Sequence, residues 1–431
     1  MFQTFRVWLT SKTTHIACGL AFLTPLMLVM FRHFLPTWIT ICALVALGGV
    51  QRRRLFKTRP SLLWTLPLGL CILWMLASAF WAPDLAKVFS LVIKLLGMLG
   101  AGVILCLYFR QQSKEHMKKI MGALCWGMGT LSLWLALESS LGVGLRYFLE
   151  KGHFAPSRTD ALLYYNSGIT GLCLILWPVL WLISRWRSSV AVTIFLCVIP
   201  FFMTFENHVS PLALMTGALF FALTYLFQKK FIYVFSAIVF VGMVGSPQIT
   251  LRYLQPEKVE QILPQTAKGS YIHRLWIWRY VAHRALEKPF LGWGLESSRD
   301  IELKQGLLWG SEKFCFPYGG KIPYEGCANE AIPLHPHNVA LQLWLELGAV
   351  GAVLFSFLFC GGLLWIAHLP ISRSLRASMV SAFTCALVIS TISFGFWQSK
   401  WVMTMIVTAL LLHVMRRFER SPQHGYGVIT V

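Results

Sequence analysis

Two stretches decide how this chain is read: residues 271–298, YIHRLWIWRYVAHRALEKPFLGWGLESS, and residues 334–353, LHPHNVALQLWLELGAVGAV. Histidine, arginine, tryptophan and glycine gather in both, just before and inside the entry to an apolar helix, with a polar loop between them. Around them nearly everything is apolar. Of 431 residues 56% are hydrophobic and 13% charged, and the mean hydropathy is +0.63. So little polar surface cannot cover a soluble globule, so the chain is read as a polytopic membrane protein. The expected fold class is all-α, because strand-like alternation is absent and every backbone group in lipid must be bonded internally.

A helix needs about 20 apolar residues to cross hydrocarbon. With basic residues and Pro/Gly breaks as boundaries, that ruler gives twelve expected spans: 15–31, 34–50, 61–81, 85–109, 118–142, 161–183, 188–205, 208–228, 231–246, 338–365, 376–396 and 398–415. The first nine occupy residues 1–246, a large loop with an amphipathic helix occupies 247–337, the last three occupy 338–415, and a polar tail follows over 416–431. The first apolar run has no alanine-type cleavage site behind it, so it is expected to be retained and to double as the insertion signal.

The net charge of +21 would suggest nucleic acid in a soluble protein. Here most of the surplus falls in short segments between apolar runs, as membrane topology alone requires, and no nucleic-acid partner is expected. Arg52, Arg53, Arg54, Lys57 and Arg59, then Arg110, Lys114, Lys118 and Lys119, then Arg185 and Arg187, Lys229 and Lys230, Arg373 and Arg376, and Arg416, Arg417 and Arg420 alternate with short connections nearly free of bases. That pattern predicts cytoplasmic termini, with 143–160 and 247–337 as enlarged segments on the opposite side. Nine of the eleven cysteines fall in or beside spans. The other two, Cys315 and Cys327, are candidates for a disulfide across FPYGGKIPYEG, the alternative being two free thiols.

His337 opens the tenth span beside His335, across Pro336. An imidazole with an ordinary pKa of about 6.5 takes up a proton near neutrality, which suits a general base for a hydroxyl nucleophile. Asn338, Gln342 and Glu346 recur every four residues and share one helical face, which should look into the protein or a water-filled cavity. The plainer reading of Gln342 and Glu346 is an interhelical hydrogen-bond network. Residues 271–288 read as an amphipathic helix ended by Pro289, on which Arg274 shares a face with Trp278, Val281 and Ala285. An arginine there either snorkels to lipid headgroups or binds a phosphate in bidentate fashion. Arg279, Arg284 and Lys288 point elsewhere and are expected to meet headgroups or solvent, and Gly292 and Gly294 fit a tight turn back to the membrane.

Further candidates for an anion are Arg146 and Arg158, the latter just before a span that begins with Tyr164, Tyr165 and Asn166. Glu206, Asn207 and His208 form a polar turn that could line the same cavity. Lys87 and Lys94, seven residues apart on one face of the fourth span, contact either lipid phosphates or an internal acid, structural use being favoured. No metal set, P-loop or dinucleotide fingerprint is present, so neither metal nor cofactor is expected.

The run HPHNVALQLWLELGAVG, with His337-Asn338, nine residues, then Gly348-x-x-Gly351, resembles the signature of the O-antigen ligase and polymerase superfamily. Arg274-x-x-x-Trp278, followed by Pro289 and GWG, is similar to the periplasmic segment of the same family. The resemblance implies a GT-C-like membrane glycosyltransferase of the bacterial inner membrane. It would take a glycan from undecaprenyl diphosphate on the periplasmic face and pass it to lipid A-core in a ligase, or to another lipid-linked glycan in a polymerase. It also implies that His337 is the essential histidine and Arg274 the loop arginine that grips diphosphate. Asn338, His335, Trp278, Arg146, Arg158, Asn166 and His208 are the expected substrate-binding residues. Two departures stand out: Gly351 is followed by Ala352 and Val353 rather than Thr-Gly, and FENHVSP stands where the family commonly has a Ser-Arg turn. The rival from another class is a transporter or lipid flippase, with Glu138, Glu206 and Glu346 as coupling sites.

Overall fold

A computed structural model describes residues 2–31, 33–49, 62–185, 187–205, 207–255, 258–259, 270–301 and 335–419. Cys315, Cys327 and Glu206 lie outside these residues. The described residues form helices and no strands. In chain order these are α1 (Phe2–Met30), α2 (Leu35–Gly49), α3 (Leu62–Ala77), α4 (Leu85–Gln111), α5 (Lys114–Leu141), α6 (Leu145–Lys151), α7 (Arg158–Leu163), α8 (Asn166–Ser184), α9 (Ser188–Met203) and α10 (Val209–Phe227). They continue with α11 (Lys229–Val244), α12 (Ser246–Tyr253), α13 (Ser270–Glu287), α14 (Val339–His368), α15 (Arg373–Ile392) and α16 (Ser399–Glu419).

Each of the twelve expected spans coincides with a helix, and the protein is a multi-pass all-α membrane protein. Seven helices are long and apolar enough to cross a bilayer by themselves: α4, α5, α8, α10, α14, α15 and α16. The pair α11 and α12, which bends by 76°, makes an eighth when counted as one broken span. The expected straight span over 231–246 therefore continues as a short helix turned sharply from it. His15–Met30, Leu35–Gly48, Thr65–Phe80 and Ser188–Met203 are shorter apolar helices. At 1.5 Å per residue the 16 residues of α9 reach about 24 Å, less than the roughly 30 Å of hydrocarbon.

Helix ends follow local chemistry. Asp84 caps α4 by accepting from the amides of Ala86 and Lys87, Ser113 caps α5, and Gly142 closes α5 in the left-handed conformation. Inside the bundle α8 is enclosed by α1, α9, α10, α15 and α16, while α10 lies along α15 and α11 along α14. Leu73, Ile93, Leu226 and Ile238 remain exposed on the outer faces, as lipid-facing residues should. The helix that carries the histidine motif, α14, packs against α3, α11 and α13. These contacts bring the loop helix onto the membrane helix.

Candidate active site

His335, Pro336 and His337 lead into α14, and Asn338 caps it by accepting from the Leu341 amide at 3.2 Å. His337 is held at φ +54°, a left-handed conformation that costs a non-glycine residue of order 1–3 kcal/mol and persists only where its surroundings impose it. Its Nδ1 lies 2.6 Å from the carbonyl oxygen of Ser393. A carbonyl only accepts, so Nδ1 carries the hydrogen and Nε2 is the acceptor nitrogen of the neutral ring. Ser393 caps the C-terminus of α15, where carbonyl dipoles converge and favour a cation. The imidazole is thus oriented as a base. His335 packs against it with ring centroids 4.2 Å apart, its Nε2 3.4 Å from the same carbonyl and its Nδ1 3.4 Å from Gln398 Nε2.

About three turns below, α14 is broken. Gly348 has φ +64° and ψ −168°, outside any helical region and open essentially to glycine alone. The loop Pro289–Gly294 fills the break and bonds the backbone groups that it frees. Trp293 and Gly294 donate their amides to Leu345 O and Glu346 O at 2.8 and 2.9 Å, and the Ala349 amide donates to Pro289 O at 2.8 Å. From α3, the Trp74 indole donates to Leu347 O at 3.0 Å. Such irregular backbone is tolerated at membrane depth only where protein satisfies it. The approach is backbone to backbone: a Cβ on Gly348 would overlap the Phe290 carbonyl, and one on Gly292 would lie 2.6 Å from Gly348 N. The glycines of GWG and of the Gly-x-x-Gly run are therefore two halves of one joint.

α13 lies across this joint. Ile277, Tyr280 and Val281 pack with Leu341 and Leu345, and Ala285 with Trp344. At the upper end the Trp278 indole donates to Pro336 O at 3.0 Å, fastening α13 to the histidine segment. Arg274, half-buried, stands one turn before Trp278 on the same face. Arg284 departs from expectation. It is buried, paired with Glu287 at 2.6 Å, and its guanidinium lies 4.3 Å from the centre of the Trp293 ring, whose other neighbour is Lys288 Nζ at 3.9 Å. The loop tryptophan supplies the cation–π surface that makes this burial tolerable. Nearby, burial and then Arg279 push the His283 imidazole below its ordinary value, against a smaller opposing pull from Glu287.

Between α4, α14 and the start of α16 lies a polar cavity of about 500 Å³, to which His335, Gln342, Glu346, Gln398, Lys87 and Lys94 contribute. Glu346 is fully enclosed and accepts from Ser298 Oγ, Gln342 Nε2, Trp397 Nε1 and the Glu296 amide. Gln342 in turn accepts from the Phe396 amide at 2.9 Å. The stripe on α14 is thus an interhelical network that also forms one wall of the cavity. Lys87 closes the rim through Asp300, at 2.7 and 3.0 Å. At its own helix cap, the Lys87 amide foremost among several hydrogen bonds holds the Asp84 carboxyl below its usual range.

Residues 207–356, from α10 through the broken part of α14, match the family profile described as O-antigen ligase. The "Putative polysaccharide ligase" of Rickettsia conorii is 28% identical over 313 residues, 70% of this chain and 68% of that protein. Its namesake in Rickettsia typhi is 28% identical over 303 residues, 70% and 69% of the two chains, and that of Rickettsia prowazekii is 32% identical over 184 residues, 41% and 42%. Over these residues the chain is similar to the O-antigen ligase family and to polysaccharide ligases of Rickettsia. No solved structure matches it.

The matched segment holds α13, the GWG loop and the histidine motif, yet of the site residues expected from the sequence His335 alone is among those lining the polar cavity, and His337, Asn338, Arg274 and Trp278 are not; the other four candidates also sit apart from it. Arg146 on α6 is fully buried, paired with Glu150 at 3.4 Å and stacked 5.8 Å from the Tyr165 ring. Arg158 binds the carbonyl of Ser139 in the last turn of α5, a helix-capping position. Asn166 begins α8, where its carbonyl accepts from Asn207 Nδ2 at 3.0 Å, and His208 is exposed at the start of α10. None of the four lines the polar cavity. Three participants had no clear sequence signal. The Ser393 carbonyl is a backbone atom, and Gln398 and Asp300 are single polar residues with no repeat. Lys94 did carry one, as a charge inside an apolar run.

Proposed function

We propose that the protein moves a glycan from undecaprenyl diphosphate to an acceptor hydroxyl on the periplasmic face of the bacterial inner membrane. It acts as an O-antigen ligase with lipid A-core as acceptor. The observation that carries this reading is the 2.6 Å bond from His337 Nδ1 to Ser393 O, which leaves Nε2 as the basic nitrogen. In the proposed step Nε2 takes the proton of the acceptor hydroxyl, and the acceptor oxygen forms its bond to the anomeric carbon as the bond to the diphosphate oxygen breaks. The electron pair departs with the diphosphate, and Arg274 stabilises the charge. Diphosphate is already a good leaving group, so positioning and charge stabilisation suffice without a nucleotide or a metal ion. A single displacement inverts the anomeric centre.

Two features support the membrane arrangement. The alternation of Lys and Arg between apolar runs favours cytoplasmic termini and an outward histidine motif. Beside the polar cavity lies an apolar one of about 540 Å³, bordered by Val339 and Phe396 near the motif and by Trp365 and His413 at its far end, suited to a polyprenyl chain. The departure at Ala352 and Val353 favours a second reading, a polymerase whose acceptor is another lipid-linked glycan. The test is purified protein in proteoliposomes with lipid-linked glycan and lipid A-core, and no nucleotide. Glycan joined to lipid A-core is the expected product. Joining of lipid-linked glycans to one another would establish the polymerase reading, and transport with no new bond would refute both.

A further inference from the structure

Lys87 and Lys94 sit two turns apart on α4 and both line the polar cavity, yet the structure gives them different surroundings. Lys87 is matched by Asp300 at 2.7 Å and Asp84 at 3.7 Å. Lys94 makes no hydrogen bond or ion pair to any described residue. The enclosed carboxylate across the cavity does not serve it, because Glu346 accepts from a hydroxyl, an amide, an indole and a backbone N–H instead. Glu296, half-buried, is the other carboxylate on the wall, and no ion pair joins it to Lys94.

A charge at this depth needs a reason. Lys94 is nine residues below the start of α4, roughly 14 Å along the helix axis, within the apolar run of that helix, and its side chain is exposed to the cavity. An ammonium facing hydrocarbon is costly. The polar cavity removes that cost by giving it water, and the absence of a counter-ion among the described residues points to an anion that enters from outside.

We propose that Lys94 is the second cation of the donor site, holding phosphoryl oxygens of a lipid diphosphate from within the polar cavity while Arg274 holds them from α13. This rests on the function proposed above and supplies the base that the FENHVSP turn lacks. Lysine suits the place, since a compact point charge with three rotatable donors can follow a phosphate group through a reaction.

The test is equilibrium binding of two probes, undecaprenyl diphosphate and undecaprenyl monophosphate, to the full-length protein in nanodiscs. Wild type, Lys94→Gln and Lys94→Arg are compared. A lost charge-assisted hydrogen bond predicts diphosphate binding weakened tenfold or more in Lys94→Gln, within about threefold of wild type in Lys94→Arg, and a smaller change for the monophosphate. Diphosphate binding by Lys94→Gln equal to that of wild type would overturn the assignment of Lys94 and leave the donor proposal standing. Failure of the wild type to bind undecaprenyl diphosphate would overturn the donor proposal itself, and Lys94's role with it.

Discussion

Replacing Glu346 by glutamine keeps the shape of the side chain and turns one acceptor oxygen into an NH₂ group. Oε2 accepts from Trp397 Nε1 at 2.7 Å and from the Glu296 amide at 3.1 Å, and neither donor can turn round. Oε1 accepts from Ser298 Oγ and from Gln342 Nε2 at 3.1 Å. With the new NH₂ on that side the serine hydroxyl can rotate and accept, but Gln342 then meets it nitrogen to nitrogen. Flipping Gln342 only moves the conflict, because its Oε1 is needed by the Phe396 amide at 2.9 Å. In every arrangement at least one enclosed donor loses its partner, about 1–3 kcal/mol, and the surviving bonds lose their charge assistance. A total of about 2–4 kcal/mol is expected for Glu346→Gln, and more for Glu346→Ala, which orphans all four donors. The assay is reversible unfolding of the purified protein in mixed micelles, followed by tryptophan fluorescence, on wild type, Glu346→Gln, Trp397→Phe and the double variant. The two single losses should be non-additive, since the residues share a bond. An unfolding midpoint for Glu346→Gln equal to that of wild type would refute the account of this carboxylate.

Two further outcomes follow from the joint beneath the histidines. Gly348→Ala forces a side chain into a conformation open essentially to glycine and against the Phe290 carbonyl, so it should cost at least 1–3 kcal/mol and expose the GWG loop to proteolysis. Wild-type stability and protection for that variant would contradict the docking described here. Trp278→Phe removes only the 3.0 Å bond to Pro336 O and should lower stability by about 1 kcal/mol. By loosening α13 it should also weaken binding of undecaprenyl diphosphate through Arg274, and an unchanged affinity would show that this bond does not position the arginine.

Much of the architecture was legible because a membrane helix announces itself by the length of its apolar run. The twelve runs all became helices for that reason, and the 76° bend after Gly245 escaped because hydropathy measures length and says nothing of direction. The break at Gly348 escaped for a different reason. A single glycine in an apolar run reads as tolerated helix, and what breaks it is a backbone contact with Phe290 and Gly292, more than fifty residues earlier in the chain. Arg284 was misjudged because the face of a helix was read without its partner: Trp293, contributed by the next loop, makes a buried guanidinium acceptable. The histidine pair was visible as a motif. Its orientation was not, since that depends on a carbonyl at Ser393, and a backbone oxygen leaves no mark in composition or spacing.

The central claim is that His337 removes the acceptor's proton on a scaffold that holds the lipid diphosphate independently of it. Single-turnover transfer of a lipid-linked glycan by purified protein, at saturating donor, compares wild type with His337→Ala. The account predicts a rate lower by about 10²–10⁴ in the variant, with undecaprenyl diphosphate bound as tightly as by wild type. Transfer by His337→Ala at the wild-type rate would contradict it.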